Sequence, residues 1–189
     1  MVRLRNFTCI FFWKWLPDLL KNKTTLHITG GEPLLHRDMW ELLKIYKNEK
    51  IETPLIINTN LGVSEKIISE FIEATREIKN IQIFTSCETV REKAEYIRDG
   101  MSFELFEKNL RSILSCGNFK EVGIMATLTN LSVLHYTEFL NWVLEIKEEF
   151  GCLPKVHTNI LRNPRYLSVK LLSEKNKEKS ILTLESWLK

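Results

Sequence analysis

Apolar residues along this chain switch repeatedly between two spacings, every second residue and every third or fourth, and the switches divide it into alternating strands and helices. A short β-prone run, Leu26-His27-Ile28, enters the sequence Thr29-Gly30-Gly31-Glu32-Pro33. Beyond it, Met39, Leu42, Leu43 and Tyr46 share one face of a helix predicted over 37–49. Thr53 to Asn58 reads as the next strand, with a proline near its start. Asn60 and Gly62 mark a turn, Ser64 is placed to cap a helix, and Ile67, Ile68, Phe71 and Ile72 give that helix its face.

The pattern continues. Asn80 to Ser86 is a strand, and Cys87 to Gly100 reads as a polar loop. Ser102 opens a helix carrying Phe103, Phe106, Leu110, Ile113 and Leu114, which Cys116-Gly117-Asn118 ends. Glu121 to Thr129 is a further strand. A helix bearing Phe139, Leu140, Val143 and Leu144 then stops at Gly151, and Lys155 to Leu161 is the last strand. Strict alternation of this kind implies βαβ units and a parallel sheet of the α/β class. Periodicity alone leaves an open sheet and a barrel equally available. In either architecture the ligand site lies at the carboxyl ends of the strands. Polar residues gather there: Thr29, Asn58 to Asn60, Ser86, Thr127 to Asn130 and Asn159. Any one of them is an ordinary turn former, but five strand ends with the same character point to a shared pocket.

Composition narrows the classes. A chain of 189 residues with 44% apolar content supports one core, and no Pro/Gly-rich linker divides it. The 27 basic and 24 acidic residues are too balanced for a nucleic-acid footprint. The polar stretch Ser173 to Ser180 reads as the solvated start of a helix. Cys9, Cys87, Cys116 and Cys152 lie far apart with no CxxC pair, the usage of a cytoplasmic protein with free thiols. Arg3 and Arg5 followed by Phe7 to Trp13 imitate a signal peptide. Lys14 interrupts the run and no small-residue cleavage site follows, so a buried or partly buried segment is expected instead. No stretch is long and apolar enough to span a bilayer, and no membrane partner is expected.

The double glycine carries the clearest chemistry. Two adjacent glycines let the backbone turn sharply and approach a ligand, while Glu32 and Pro33 fix a carboxylate and a rigid ring just behind. Such a junction suits a bound amine. In isolation the same residues would also serve as a tight strand-to-helix turn with Glu32 as an early helix charge. His27 and His36 flank the motif without nearby acidic or thiol partners, and read as packing and surface residues rather than metal ligands.

A strand ending in Gly-Gly-Glu-Pro, followed by Leu34-Leu35 and a helix, resembles the second strand of radical S-adenosylmethionine (SAM) enzymes. Asn58-Thr59-Asn60-Leu61 resembles the polar end of that family's third strand. Thr85-Ser86-Cys87-Glu88 is similar to its Ser-x-Asp strand end, and Tyr96-Ile97-Arg98-Asp99-Gly100 to the Ile-Arg-x-Gly turn of peptide-modifying members. Asn159 to Val169 resembles the exit from the last strand in the branch with a twitch-type C-terminal extension. The resemblance implies a partial (βα)6 TIM-like barrel lacking its first strand, in three parts: an N-terminal segment over 1–16, the core over 17–162 and the start of an extension over 163–189. It also implies a SAM site in which Gly30, Gly31, Glu32 and Pro33 run beside the methionine moiety, with Glu32 on its ammonium group. Asn60 belongs to the same edge, Ser86 or Glu88 would face the ribose, and Arg98 would pair with the cofactor carboxylate. Thr127 and Asn159 would add polarity to the pocket.

Members of that family hold a [4Fe-4S] cluster on a Cys-x3-Cys-x2-Cys loop after the first strand, and the cluster reductively cleaves SAM to a radical that abstracts a substrate hydrogen. No such loop occurs in this sequence, and Cys9 is the one cysteine before the Gly-Gly-Glu-Pro motif. Two expectations follow. Either the chain is a fragment of an iron-sulfur enzyme that modifies a peptide, sugar or small molecule and is inactive by itself, or it is a degenerate α/β domain that binds SAM, a nucleotide or a partner without catalysis.

Overall fold

The computed structural model of the protein describes residues 3–151 and 154–189, with side chains described from residue 12 onward. Five parallel strands form one sheet in sequential order: β1 (Leu26–Ile28), β2 (Leu55–Asn58), β3 (Ile81–Ser86), β4 (Glu121–Leu128) and β5 (Lys155–Ile160). Helix α1 (Arg3–Lys21) precedes the sheet. The connections carry α2 (Arg37–Asn48), α3 (Glu65–Thr75), α4 (Arg91–Ile97), α5 (Phe103–Ser115) and α6 (Tyr136–Phe150), and α7 (Glu174–Trp187) closes the chain. A sheet wound in one direction from edge to edge is an arc of a (βα) barrel rather than a doubly wound sheet, whose strand order would reverse.

The registers place side chains in two layers. In β3, Ile81, Ile83 and Thr85 are buried while Gln82, Phe84 and Ser86 are half-buried. In β2, Leu55 and Ile57 are buried and alternate with half-buried Ile56 and Asn58. Successive residues point to opposite faces, so the buried set packs under the helices and the other lines the inner, concave face. The outer core is continuous: Leu42, Leu43 and Tyr46 of α2, Ile68 and Phe71 of α3, and Phe106, Leu110 and Ile113 of α5 join Leu55, Ile57, Ile81 and Ile83. Between α5 and α6, Phe103, Phe106, Phe139 and Trp142 pack with ring centroids 5.5 to 6.2 Å apart. The Trp142 indole donates to Glu107, which also pairs with Arg111, so the polar edge of this aromatic cluster is satisfied.

Local chemistry explains the helix boundaries. The Ser102 hydroxyl accepts from the Leu105 amide at the start of α5, and Ser173 does the same from Asn176 at the start of α7. Gly151, at φ 65°, ends α6 in the left-handed conformation that favours glycine. Leu16 and Leu20 anchor α1 in the core, and the Thr53 hydroxyl donates to the Leu20 carbonyl at its end. Phe12 and Trp15 of the same helix stay about half exposed, and the side chains of residues 7–11, on which most of the expected buried N-terminal run falls, lie outside the described residues. One expectation fails: the polar loop over 87–100 contains α4. Only Ala94 of this helix is buried, which gives too few apolar positions for a periodic signal. Its role is to brace α5, because the Glu95 carboxylate accepts from the Phe103 amide. Among the described residues no helix is long and apolar enough to cross a membrane.

On the concave face Gly123 of β4 lies beside the ring of Phe84, where an added Cβ would stand 2.5 Å from the nearest ring carbon. Phe84 in turn meets the His157 ring edge to face at 5.4 Å. Gly123→Ala is therefore expected to destabilise the protein by about 1 to 3 kcal/mol through overpacking. The double variant with Phe84→Leu should recover part of that loss in urea-unfolding midpoints.

Candidate functional site

The carboxyl ends of the strands form one edge of the sheet, beginning at the double glycine after β1. Gly30 and Gly31 adopt φ of 88° and 58°, a conformation that L side chains rarely adopt. A Cβ on either would meet nothing within 4 Å, so glycine is required by the backbone and the space above the turn is open. Neither residue makes a backbone hydrogen bond among the described residues, and both are exposed. Their peptide groups are thus available to a ligand. Pro33 is buried at the head of a 3-10 turn that leads into α2, whose first turn His36 caps by accepting from the Asp38 amide.

Glu32 fixes this turn to the next strand end. Its carboxylate accepts from the Thr59 hydroxyl at 2.8 and 2.9 Å, from the Asn60 amide at 2.8 Å and from the Leu34 amide at 3.1 Å. Both oxygens are engaged by the protein, so the acceptors that the resemblance assigns to a cofactor ammonium are already facing internal donors. The Thr59 oxygen also accepts from the Leu61 amide, and the Asn60 side chain accepts from Gly62 to hold the turn. From behind, the buried Asn109 of α5 donates to the carbonyls of Leu61 and Val63, each at 2.8 Å. Sequence reasoning counts Thr59 among the polar strand-end residues but gives it no part in holding the edge, and it misses Asn109. The Asn60 turn offered a local signal for the first, whereas nothing in sequence links position 109 to position 61. On the concave side His27 and Asn58 pair at 2.9 Å, which gives His27 a partner within the sheet.

The remaining site residues lie further along the edge. Ser86, half-buried at the end of β3, makes no side-chain hydrogen bond among the described residues and is opposite Met125 of β4. Glu88 is buried, 6% exposed, and receives a two-point contact from Arg98 at 2.7 and 3.1 Å. The two residues assigned separately to ribose and carboxylate are thus joined in one ion pair. The Arg98 side chain as a whole is 30% exposed. Gly30, Gly31, Glu32 and Pro33 also line a cavity of about 410 Å³ with Phe12, Leu16 and Met39. This cavity is apolar and lies on the helix side of β1. Asn60, Ser86, Glu88 and Arg98 are not among its lining residues, so it does not gather the strand-end groups.

The described thiols, Cys87 and Cys116, do not supply a cluster site. Cys87 is fully buried, its thiol donates to the Thr89 carbonyl at 3.0 Å, and burial pushes its pKa up to about 12, against formation of the thiolate an iron needs. Cys116 lies at the end of α5 with its thiol on the Ile113 carbonyl. Cys152 lies outside the described residues, as does the side chain of Cys9. Among the described residues no three His, Cys, Asp or Glu side chains group to hold a metal ion. These residues do not fit a [4Fe-4S] cluster.

A parallel sheet wound in one direction, with its polar and glycine-rich groups on the carboxyl edge, defines a partial-barrel α/β domain built around an edge site. Residues 15–149 match the family model of the Radical SAM superfamily, and the chain belongs to that family. Comparison with curated protein sequences finds no match. Among solved structures, Streptococcus suis SuiB bound to S-adenosylmethionine aligns with a TM-score of 0.63 and 19% identity over 92% of this chain and 38% of that one. A domain of pyruvate-formate lyase-activating enzyme from Bacteroides vulgatus aligns with a TM-score of 0.58 and 18% identity over 87% of this chain and 95% of that one. AnSMEcpe with bound AdoMet and a peptide aligns with a TM-score of 0.61 and 13% identity over 92% of this chain and 49% of that one. At these identities the likeness is one of fold. The chain spans about two-fifths of the length of SuiB.

Two outcomes are expected from the site geometry. Glu32→Ala should lower stability by about 2 to 4 kcal/mol, since it removes charge-assisted hydrogen bonds that join two strand ends, and Thr59→Val by about half as much; urea denaturation measures both. In a Cys9→Ser, Cys152→Ser background at pH 8, a thiol reagent should label Cys116 rapidly and Cys87 only after unfolding, as read by mass spectrometry.

Proposed function

We propose that this chain is the SAM-holding part of a radical SAM protein, and that Gly30 and Gly31 receive the methionine end of the cofactor. The observation that carries this reading is the pair of unbonded, open peptide groups at positive φ, held in place from behind by Glu32. A methionine ammonium needs several acceptors in a fixed array, and backbone carbonyls on an immobilised turn supply one at little entropic cost. In this arrangement Glu32 acts through the backbone it holds and adds negative potential. Asn60, Ser86, Thr127 and Asn159 would supply polar contacts along the edge, and Arg98, oriented by Glu88, would face the cofactor carboxylate. The chemistry SAM supplies when bound is a carbon radical for hydrogen abstraction.

The complete activity we propose is radical modification of a peptide, sugar or small molecule. SuiB and anSMEcpe are fold neighbours whose structures contain a precursor peptide and a Cys-containing peptide respectively, which favours the peptide class. We further propose a twitch-type extension starting near residue 163. The segment is tied to the end of β4 by Asn130, which donates its backbone and side-chain N–H to the carbonyls of Leu167 and Tyr166. The free thiols of Cys87 and Cys116 support a cytoplasmic location for such a protein. The 189-residue chain by itself would bind SAM without cleaving it. A second reading, a non-catalytic SAM- or nucleotide-binding domain, draws support from the buried, protonated state of Cys87.

Isothermal titration calorimetry with SAM tests the binding. Gly30→Val is expected to weaken it by at least about tenfold, or 1.4 kcal/mol, with Arg98→Lys giving a smaller loss. Unaltered SAM affinity in Gly30→Val would remove the turn from the site. Anaerobic reconstitution with iron and sulfide should leave the chain without release of 5′-deoxyadenosine. Its appearance would overturn the proposed inactivity.

A further inference from the structure

Charge is unevenly placed along the chain. Between Glu149 and Glu174 there is no acidic residue, yet the stretch contains Lys155, Arg162, Arg165 and Lys170. Take these four from the 27 basic residues and the other 23 face 24 acidic ones, so this stretch accounts for the net positive charge. Lys155 pairs with Glu121 at 2.8 Å. Among the described residues, Arg162, Arg165 and Lys170 form no ion pair, and all three are exposed.

These three cations line a single cleft of about 1140 Å³, together with Asn159, Ile160 and Leu171. The cleft opens at the carboxyl end of β5, where Thr158, Asn159 and Ile160 line it, and among the described residues this last strand of the sheet pairs only with β4. It is also the most exposed strand, with Lys155, Thr158, Asn159 and Ile160 all open to solvent. An uncovered edge strand presents a row of free N–H and C=O groups ready to pair with another extended chain. Apolar surface accompanies the charge: Ile160 is 60% exposed and Leu171 64% exposed. The far wall is held in place. Asn130 fixes the carbonyls of Tyr166 and Leu167, and the Ser168 hydroxyl accepts from the Lys170 amide.

We propose that this cleft docks an acidic peptide in extended conformation, paired as an added strand on the free edge of β5. Its carboxylates would meet Arg162, Arg165 and Lys170, and its alternate apolar side chains would cover Ile160 and Leu171. Each part of the site has a use in that complex: backbone edge, apolar contact and unpaired cation. A nucleic acid would satisfy the cations but could not complete a strand ladder on the edge or bring alternate apolar side chains onto Ile160 and Leu171. Arginine adds bidentate selection for carboxylates, so the cluster also discriminates against a basic peptide of the same length.

The inference deepens the peptide reading above by assigning a charge class to the peptide, and it is tested without SAM so that either can fail alone. Fluorescence anisotropy of the intact 189-residue chain would compare labelled peptides of about ten residues that alternate Glu with Val or Lys with Val, together with an oligouridine RNA. The Glu-Val peptide should bind at least about tenfold more tightly than the other two, with affinity falling as salt rises. The same peptide N-methylated on alternate residues should lose binding, because it cannot complete the strand ladder. Arg162→Gln/Arg165→Gln and Arg162→Glu/Arg165→Glu replace exposed side chains, and circular dichroism should show both folded. The first should weaken the Glu-Val peptide about tenfold and the second should abolish its binding. Equal binding of the acidic and basic peptides, unchanged binding by the charge-reversed variant, or tighter binding of the RNA would each overturn the proposal.

Discussion

The carboxylate of Glu32 is the constraint on which the edge of this domain depends. Two adjacent glycines at positive φ are an expensive conformation to keep, since each retains wide freedom in the unfolded chain. Something must select the one arrangement that leaves their peptide groups open. Glu32 does so by reaching across to Thr59 and Asn60, thereby making the loop after β1 and the loop after β2 a single unit. Asn109 then ties that unit to α5, and α5 is fixed by the aromatic cluster it shares with α6. The open turn is therefore stabilised from the centre of the molecule outward.

The two ends of the sheet differ in what they expose. Beside β1, α1 and α2 enclose an apolar cavity on the outer side, and the glycine turn stands at its mouth. Beside β5, the cleft is cationic and the strand is bare. Between them Ser86 and the Glu88–Arg98 pair occupy the middle of the edge. Under the proposed function, the open glycine turn at one end and the free cations at the other would receive a cofactor and a chain-like substrate from opposite sides of the arc.

Much of this architecture was legible in the sequence. Strand and helix placement follows from the two periods because each element buries one stripe or one face against its neighbours. Ser102, Ser173 and Gly151 mark boundaries by the same local chemistry in sequence and structure. The misses arise where contacts are distant or the elements short. Helix α4 buries a single alanine and takes its purpose from the Glu95 contact with Phe103. The pairing of Glu88 with Arg98 and the clamp of Asn109 on residues 61 and 63 join positions that no spacing rule connects. Glu32 was legible as a residue of interest, but its partners depend on the register between β1 and β2. The cleft beside β5 was hidden for another reason: its cations Arg162, Arg165 and Lys170 sit on a loop and two short 3-10 turns without regular spacing, and only folding brings them to one wall.

The Asn109 clamp bears on how this motif can be moved between proteins. The glycine turn owes its shape to a hydroxyl on the next strand and to an amide on a helix almost eighty positions later in the chain. A Gly-Gly-Glu-Pro segment transplanted into another scaffold would bring the flexible residues without the groups that hold them. For design, the unit to graft is thus discontinuous: a tetrapeptide, a threonine-containing strand end and one buried asparagine.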